Sequence, residues 1–193
     1  MTIASPDRDL FVWVVEHRAE PLDWLFVTLS VLGYAGLMWI GLAVLLAWRC
    51  GRPVLVTTAL TAGAVWAADL LTLTIKASVE RTRPYAVVPE ADPLLRADVG
   101  QSFPSGHAAT SFAGAVMLAY LVRRYVPALF ALAALTAYSR VYVGVHYPLD
   151  VVVGAALGTL VALTVIAALR LRLRLRRRTS EAPPRRRATP PAG

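Results

Sequence analysis

Lys76, Arg83, His107, Arg140, His146 and Asp150 are the side chains of this sequence whose types and spacing suit work on a phosphoryl group. They fall in three segments far apart in the chain. The last is the most specific: Ser139-Arg140, then His146, then Asp150. Pro148 suits the first turn of a helix, so His146 stands just before that helix and Asp150 inside its first turn, able to reach back to the imidazole. An Asp that accepts the Nδ1 proton leaves Nε2 with an outward lone pair and stabilises charge as it develops on the ring. That is the logic of a nucleophile or base held by a third group. Taken singly, Asp150 reads as an ordinary helix-start acid and His146 as an interfacial polar residue. Together, beside Arg140, they point to chemistry.

The middle segment, Phe103-Pro104-Ser105-Gly106-His107, closes a loop and opens an apolar run from Ala108 to Val122. The free N–H groups of such a helix start bind anions. Ser105 caps them or donates its own hydroxyl, Gly106 lets a ligand approach the backbone, and His107 places a titratable ring in the first turn. The first segment holds Lys76, Arg81, Arg83 and Pro84. Lys76 is the only lysine, with arginine at every other basic site, so a compact ammonium there looks selected for local chemistry; its plainer reading is a snorkelling anchor. Arg83 shares the face of Lys76 if the helix continues, and its planar fork suits two phosphoryl oxygens. Arg81 reads as a solvated loop charge, and His17 as chemically idle.

Lys76, six residues, Arg83-Pro84; Pro104-Ser105-Gly106-His107; Ser139-Arg140, five residues, His146, three residues, Asp150: in this order and spacing the sequence resembles the type 2 phosphatidic acid phosphatase and vanadium haloperoxidase superfamily. The resemblance runs from about Val54 to Leu169. It implies Lys76, Arg83, Ser105, Gly106 and Arg140 as phosphate binders. It also implies His146 as the nucleophile that forms a phosphohistidine, Asp150 as its partner and His107 as the acid to the leaving oxygen. Membrane members commonly cross the bilayer six times.

The elements that must position these residues are apolar. The chain of 193 residues is 57% hydrophobic and 17% charged, with a mean hydropathy of +0.56, which is a membrane protein's composition. An all-α polytopic membrane bundle is expected, with about five crossings: Trp24 to Trp48, Val54 to Ile75 broken by Asp69, Ala108 to Val122, Val126 to about Val143, and Leu149 to Leu169. Residues 1–23 read as an amphipathic interfacial segment, 24–170 as the transmembrane domain, and 171–193 as a basic, largely disordered tail. The ladder Arg170 to Arg176 reads as a helix extension with snorkelling arginines. Asp69, seven residues before Lys76, reads as a partner below the site.

Nine of the twenty basic residues are arginines after Leu169, and Arg49, Arg52, Arg123 and Arg124 fall at ends on the same side. Those ends should be cytoplasmic, which puts the three segments on the outer face of the plasma membrane and argues for a lipid surface rather than nucleic acid. Three histidines, one cysteine and no outer-face carboxylate cluster suggest neither a metal nor a cofactor, and the lone Cys50 excludes an internal disulfide. The expectation is a metal-independent phosphatase of a lipid phosphate or pyrophosphate, with undecaprenyl pyrophosphate first and phosphatidylglycerol phosphate or phosphatidic acid as alternatives. A bound-vanadate peroxidase is the rival within the family. A channel or transporter is the rival from another class, but it would spread charges along the spans.

Overall fold

The structure is a computed structural model, and it describes residues 6–95 and 100–180. Eight α-helices and three short 3-10 turns make up its regular structure among the described residues: α1 Pro6–Glu16, α2 Glu20–Leu32, α3 Leu37–Arg49, α4 Val54–Lys76, α5 Pro84–Val87, α6 Gly106–Leu121, α7 Val126–Tyr142 and α8 Pro148–Ser180. The architecture is all-helical, as composition demands. Two helices, α4 and α8, are long and apolar enough to cross a membrane, and the pair α2 and α3 makes a third crossing if it is one bent span. At 16 and 17 residues, α6 and α7 reach only about 24–26 Å at 1.5 Å per residue. The expected count of five crossings is thus not reached by length and composition alone.

The expected single span from Trp24 to Trp48 is broken. Its two halves are bent by 59° around the turn Tyr34–Gly36, where Ala35 (φ 50°) and Gly36 (φ 70°) enter the left-handed region. Gly36 is required there twice over: the positive φ disfavours a side chain, and a Cβ would lie 2.3 Å from Val65. The bend falls beside the site, where the Ser30 carbonyl in the last turn of α2 meets His107.

Helix α6 is central, with α4, α7 and α8 against it. Its contact with α8 is the tightest in the fold. Gly154 and Gly158 of α8, four residues apart, lie on the backbone of α6, where added Cβ atoms would meet the Ser105 and Ala109 carbonyl oxygens at 2.4 and 2.0 Å. Small residues at this spacing let two membrane helices approach backbone to backbone. The approach brings the first turns of α6 and α8 together, and the Ser105 N–H donates to the Asp150 carbonyl at 3.0 Å. On the far side of α6, fully buried Trp39 lies over Gly114 and donates its indole N–H to Ser111 Oγ at 3.2 Å.

In the N-terminal segment, Phe11, Val14 and Val15 of α1 are buried against Val88, Ala91, Val141 and Tyr147, while Leu10 and Trp13 of the same helix stay exposed. Arg18 then ties the chain down by donating to three backbone carbonyls, of Tyr142, Asp92 and Ala91. At the other end, α8 runs without a break through the arginine ladder to Ser180, so residues 171–180 of the expected tail are helical. The rest of the expected tail lies outside the described residues.

Candidate active site

Three chain regions converge where α4 ends and α6 and α8 begin. Helix α4 stops at Lys76, so Arg83 does not continue its face; the loop carries Arg83 back to the same place instead. There the Arg83 guanidinium donates to the Gly100 carbonyl at 3.0 Å and the Val145 carbonyl at 3.2 Å, and Nη1 stands 3.4 Å from His146 Nε2. Lys76 Nζ donates to the Gln101 carbonyl at 2.8 Å. Arg140, in the last turn of α7, is 7% exposed and donates to Ser30 Oγ, while its Nε is buried with no partner. Lys76, Arg83 and Arg140 all act electrostatically on His146. Three cations held this close repel one another, and a polyanion is what relieves such an arrangement.

His146 is 2% exposed and Asp150 fully buried. Pro148 opens α8, as expected, and Asp150 Oδ2 accepts the Tyr147 N–H at 3.0 Å, the Ser102 hydroxyl at 2.5 Å, and faces His146 Nδ1 at 3.5 Å. Because a guanidinium only donates, the Arg83 contact requires a lone pair on His146 Nε2, which puts the ring proton on Nδ1 toward Asp150. Burial pulls the imidazole pKa down, to about 3; the Asp150 bond opposes this, and Arg140, Arg83 and Lys76 add to it. His146 is therefore a neutral ring at physiological pH, with its lone pair toward the cations. Burial likewise lowers the Arg83 pKa, with Tyr85 and Asp150 opposing.

Ser105 is the N-cap of α6, with Oγ accepting the Ala108 N–H at 3.5 Å. Gly106 faces α4, where an added Cβ would lie 3.4 Å from Asp69 Oδ1 and 3.5 Å from Thr72 Oγ1. Asp69 also acts electrostatically on Lys76, so it lies below the site, where the sequence placed it. His107 packs beside Gly33, its Nε2 donating to the Ser30 carbonyl at 3.1 Å, and Arg140 and His146 are near enough to act on it electrostatically. Every residue singled out for chemistry thus belongs to one cluster. His17 is remote from it, stacked on Trp13 at 4.7 Å.

Four participants were not expected. Ser30 offers a hydroxyl to Arg140 and a carbonyl to His107; with Thr28 two residues before it in the same apolar run, nothing in the sequence singled it out. Ser102 stands directly before the second segment yet donates to Asp150 of the third. Arg81, read as a solvated charge, instead spans two carboxylates, Asp150 Oδ1 and Asp7 Oδ2, each at 2.5 Å. Its pKa is raised: burial lowers it, and the two acids overcome that. Asp7 carried no local signal, since only folding brings α1 to the start of α8.

Comparison with known proteins gives the family. The chain is 36% identical over 83 residues to the bacitracin transport permease protein BcrC of Bacillus licheniformis, covering 43% of this chain and 41% of that one, so it spans less than half of that relative's length. It is 33% identical over 153 residues to the undecaprenyl-diphosphatase of Sulfolobus acidocaldarius, covering 78% of this chain and 72% of the relative. Among solved structures, Aquifex aeolicus LpxE superposes with a TM-score of 0.72 at 26% identity, covering 86% of this chain and 98% of that one. The PAP2 superfamily profile matches residues 54–174, the stretch that holds every residue of the three motifs, and the chain belongs to that superfamily.

Proposed function

We propose that this chain is a metal-independent membrane phosphatase that hydrolyses a lipid phosphate or pyrophosphate through a phosphohistidine on His146. The observation that carries the reading is the pairing of a neutral His146, its Nε2 lone pair 3.4 Å from Arg83, with a buried Arg140 whose Nε lacks a partner. A phosphoryl group entering between them would replace the Arg83 contact on Nε2, give Arg140 its missing acceptor, and present phosphorus to the ring in line. Lys76, Arg83, Arg140, Ser105 and the N–H groups at the start of α6 would hold the equatorial oxygens, where charge is greatest in the transition state. His107, protonated as the phosphate dianion enters beside it, would then pass that proton to the departing oxygen and return to neutral, and water would cleave the phosphohistidine in the second half of the reaction.

The lipid meets the site at the membrane boundary in this reading. Helices α6 and α7 complete a five-span bundle with the three longer crossings, the site faces outward from the plasma membrane, and the arginine-rich end of α8 lies in the cytoplasm. Undecaprenyl pyrophosphate ranks first among substrates: several cations around one pocket suit its second phosphate, and a relative of 33% identity carries the name undecaprenyl-diphosphatase. Phosphatidylglycerol phosphate and phosphatidic acid are the alternatives. A transporter reading is kept by the name of BcrC alone, and it leaves the ordered His146–Asp150 pair without a task.

Phosphate release from a panel of these three lipids in mixed micelles tests the substrate, with kcat/KM as the measure of specificity. The prenyl pyrophosphate should lead. A tenfold advantage for either glycerolipid would overturn the ranking, and no release from any of them, with transport intact, would favour the other class.

A further inference from the structure

A closed ring of contacts ties the N-terminal helix to the residue behind the nucleophile. Arg81 Nη1 donates to Asp150 Oδ1 and Nη2 to Asp7 Oδ2, both at 2.5 Å. The other oxygen of Asp7 accepts the Leu149 N–H at 2.8 Å, one residue before Asp150 in the same turn of α8. The chain from Leu149 to Asp150 closes the ring. Tyr147 lies beneath it, with the Arg81 guanidinium 4.2 Å from its ring centroid and Phe11 of α1 against it edge-on at 5.5 Å. The Asp150 side chain is fully buried while that of Arg81 is 27% exposed, so the arginine carries the carboxylate's charge balance out to the surface.

The two carboxylate oxygens of Asp150 have different tasks. Oδ2 receives Ser102, the Tyr147 N–H and the facing His146 Nδ1. Oδ1 receives Arg81. A buried carboxylate oxygen that lost its donor would be left unsatisfied, and the group would turn to recover one, taking Oδ2 away from the imidazole. The planar fork of Arg81 prevents that turn only if the arginine is itself held, and Asp7 is what holds it.

We propose that Arg81, anchored by Asp7, is a positioning residue that keeps Asp150 aimed at His146, which makes α1 a working part of the active site. The inference rests on the phosphatase reading above. Loss of Arg81 should slow the step in which charge develops on the ring and leave substrate binding largely alone, because Arg81 points at Asp150 and the phosphate-facing cations are Lys76, Arg83 and Arg140. It should also shift the pH profile. The groups bearing on His146 are Asp150, Arg140, Arg83, Lys76 and His107, and Asp150 is in turn balanced by Arg81. Removing the Arg81 charge leaves the Asp150 carboxylate less compensated and favours imidazolium, so the acid limb of kcat should move to higher pH.

The test compares the full chain with Arg81→Gln, Arg81→Lys, Asp7→Asn, the double variant Asp7→Asn with Arg81→Gln, and His146→Ala, all on undecaprenyl pyrophosphate in mixed micelles. Arg81→Gln should lower kcat at least tenfold with KM within twofold, and move the acid limb upward; Arg81→Lys should recover part of the rate. Asp7→Asn should lower kcat severalfold alone and add little to Arg81→Gln, since both cut the same ring. Wild-type turnover no greater than that of His146→Ala would defeat the phosphatase reading itself. An active wild type with Arg81→Gln equally active, or with kcat and KM changed in proportion, or with Asp7→Asn additive to it, would overturn the positioning role alone. Should Arg81→Gln fail to fold, Asp7→Asn decides: an unchanged kcat and pH profile would overturn it.

Discussion

At the scale of single residues, the two site histidines are held in opposite ways. His146 keeps its proton on the Asp150 side and its lone pair toward the cations, whereas His107 donates from Nε2 to the Ser30 carbonyl. In the proposed mechanism the first ring attacks and the second gives a proton taken up with the bound phosphate. His107→Ala should therefore cost a lipid substrate, whose alkoxide or phosphate leaving group needs that proton, on the order of 10²–10⁴ in kcat. The same variant should cost a nitrophenyl phosphate far less, and equal losses on both substrates would refute the role. The motif residues were legible in the sequence because their types are unusual in an apolar chain and they fall at the ends of its apolar runs. Arg81 and Ser30 were not legible. Nothing local distinguishes an arginine bound to two acids from one in water, and the partners Asp7 and Asp150 lie 74 and 69 residues away.

At the scale of elements, the glycines of α8 set the distance between the second and third motifs. Gly158→Leu would drive a side chain into the Ala109 carbonyl, and α8 would have to move away from α6. Overpacking of this kind costs about 1–3 kcal/mol, and a displaced first turn would carry Asp150 away from His146. The expected result is a lower melting temperature in detergent together with at least a tenfold loss of kcat, while Gly63→Leu, at a glycine with open space around it, should leave both near wild type. A fully active Gly158→Leu enzyme would show that the close approach is not what places the site. Helix identities were readable from apolar run lengths and from Pro148 and Ser105 at the starts of α8 and α6. The 59° break in the expected first span was not, because Gly33 and Gly36 are unremarkable in a membrane helix until a neighbour such as Val65 or Thr136 leaves no room for a side chain.

At the scale of the whole molecule, positive charge at the site is supplied by side chains, and the proposed orientation rests on arginines at the other ends of the helices. Chelation should leave phosphate release unchanged, because Lys76, Arg83 and Arg140 already stand where a metal ion would neutralise the phosphoryl oxygens. Vanadate should inhibit as a mimic of the five-coordinate phosphorus. Loss of activity in EDTA with recovery on magnesium would count against this. Orientation is open to a direct check, since Cys50 caps α3 at the end beside Arg49 and Arg52. A membrane-impermeant maleimide on intact cells should leave Cys50 unlabelled and label Val87→Cys in a Cys50→Ser background; the reverse pattern would turn the molecule over.

In the proposed mechanism His146 takes the phosphoryl group. Rapid acid-free quenching of enzyme mixed with lipid pyrophosphate labelled at the terminal phosphate, followed by peptide mapping, measures it directly. The expected result is an acid-labile, base-stable label on the peptide carrying His146, formed within the first turnover, and neither label nor phosphate release from His146→Ala. Label at wild-type amounts in His146→Ala, or steady turnover by that variant, would contradict it.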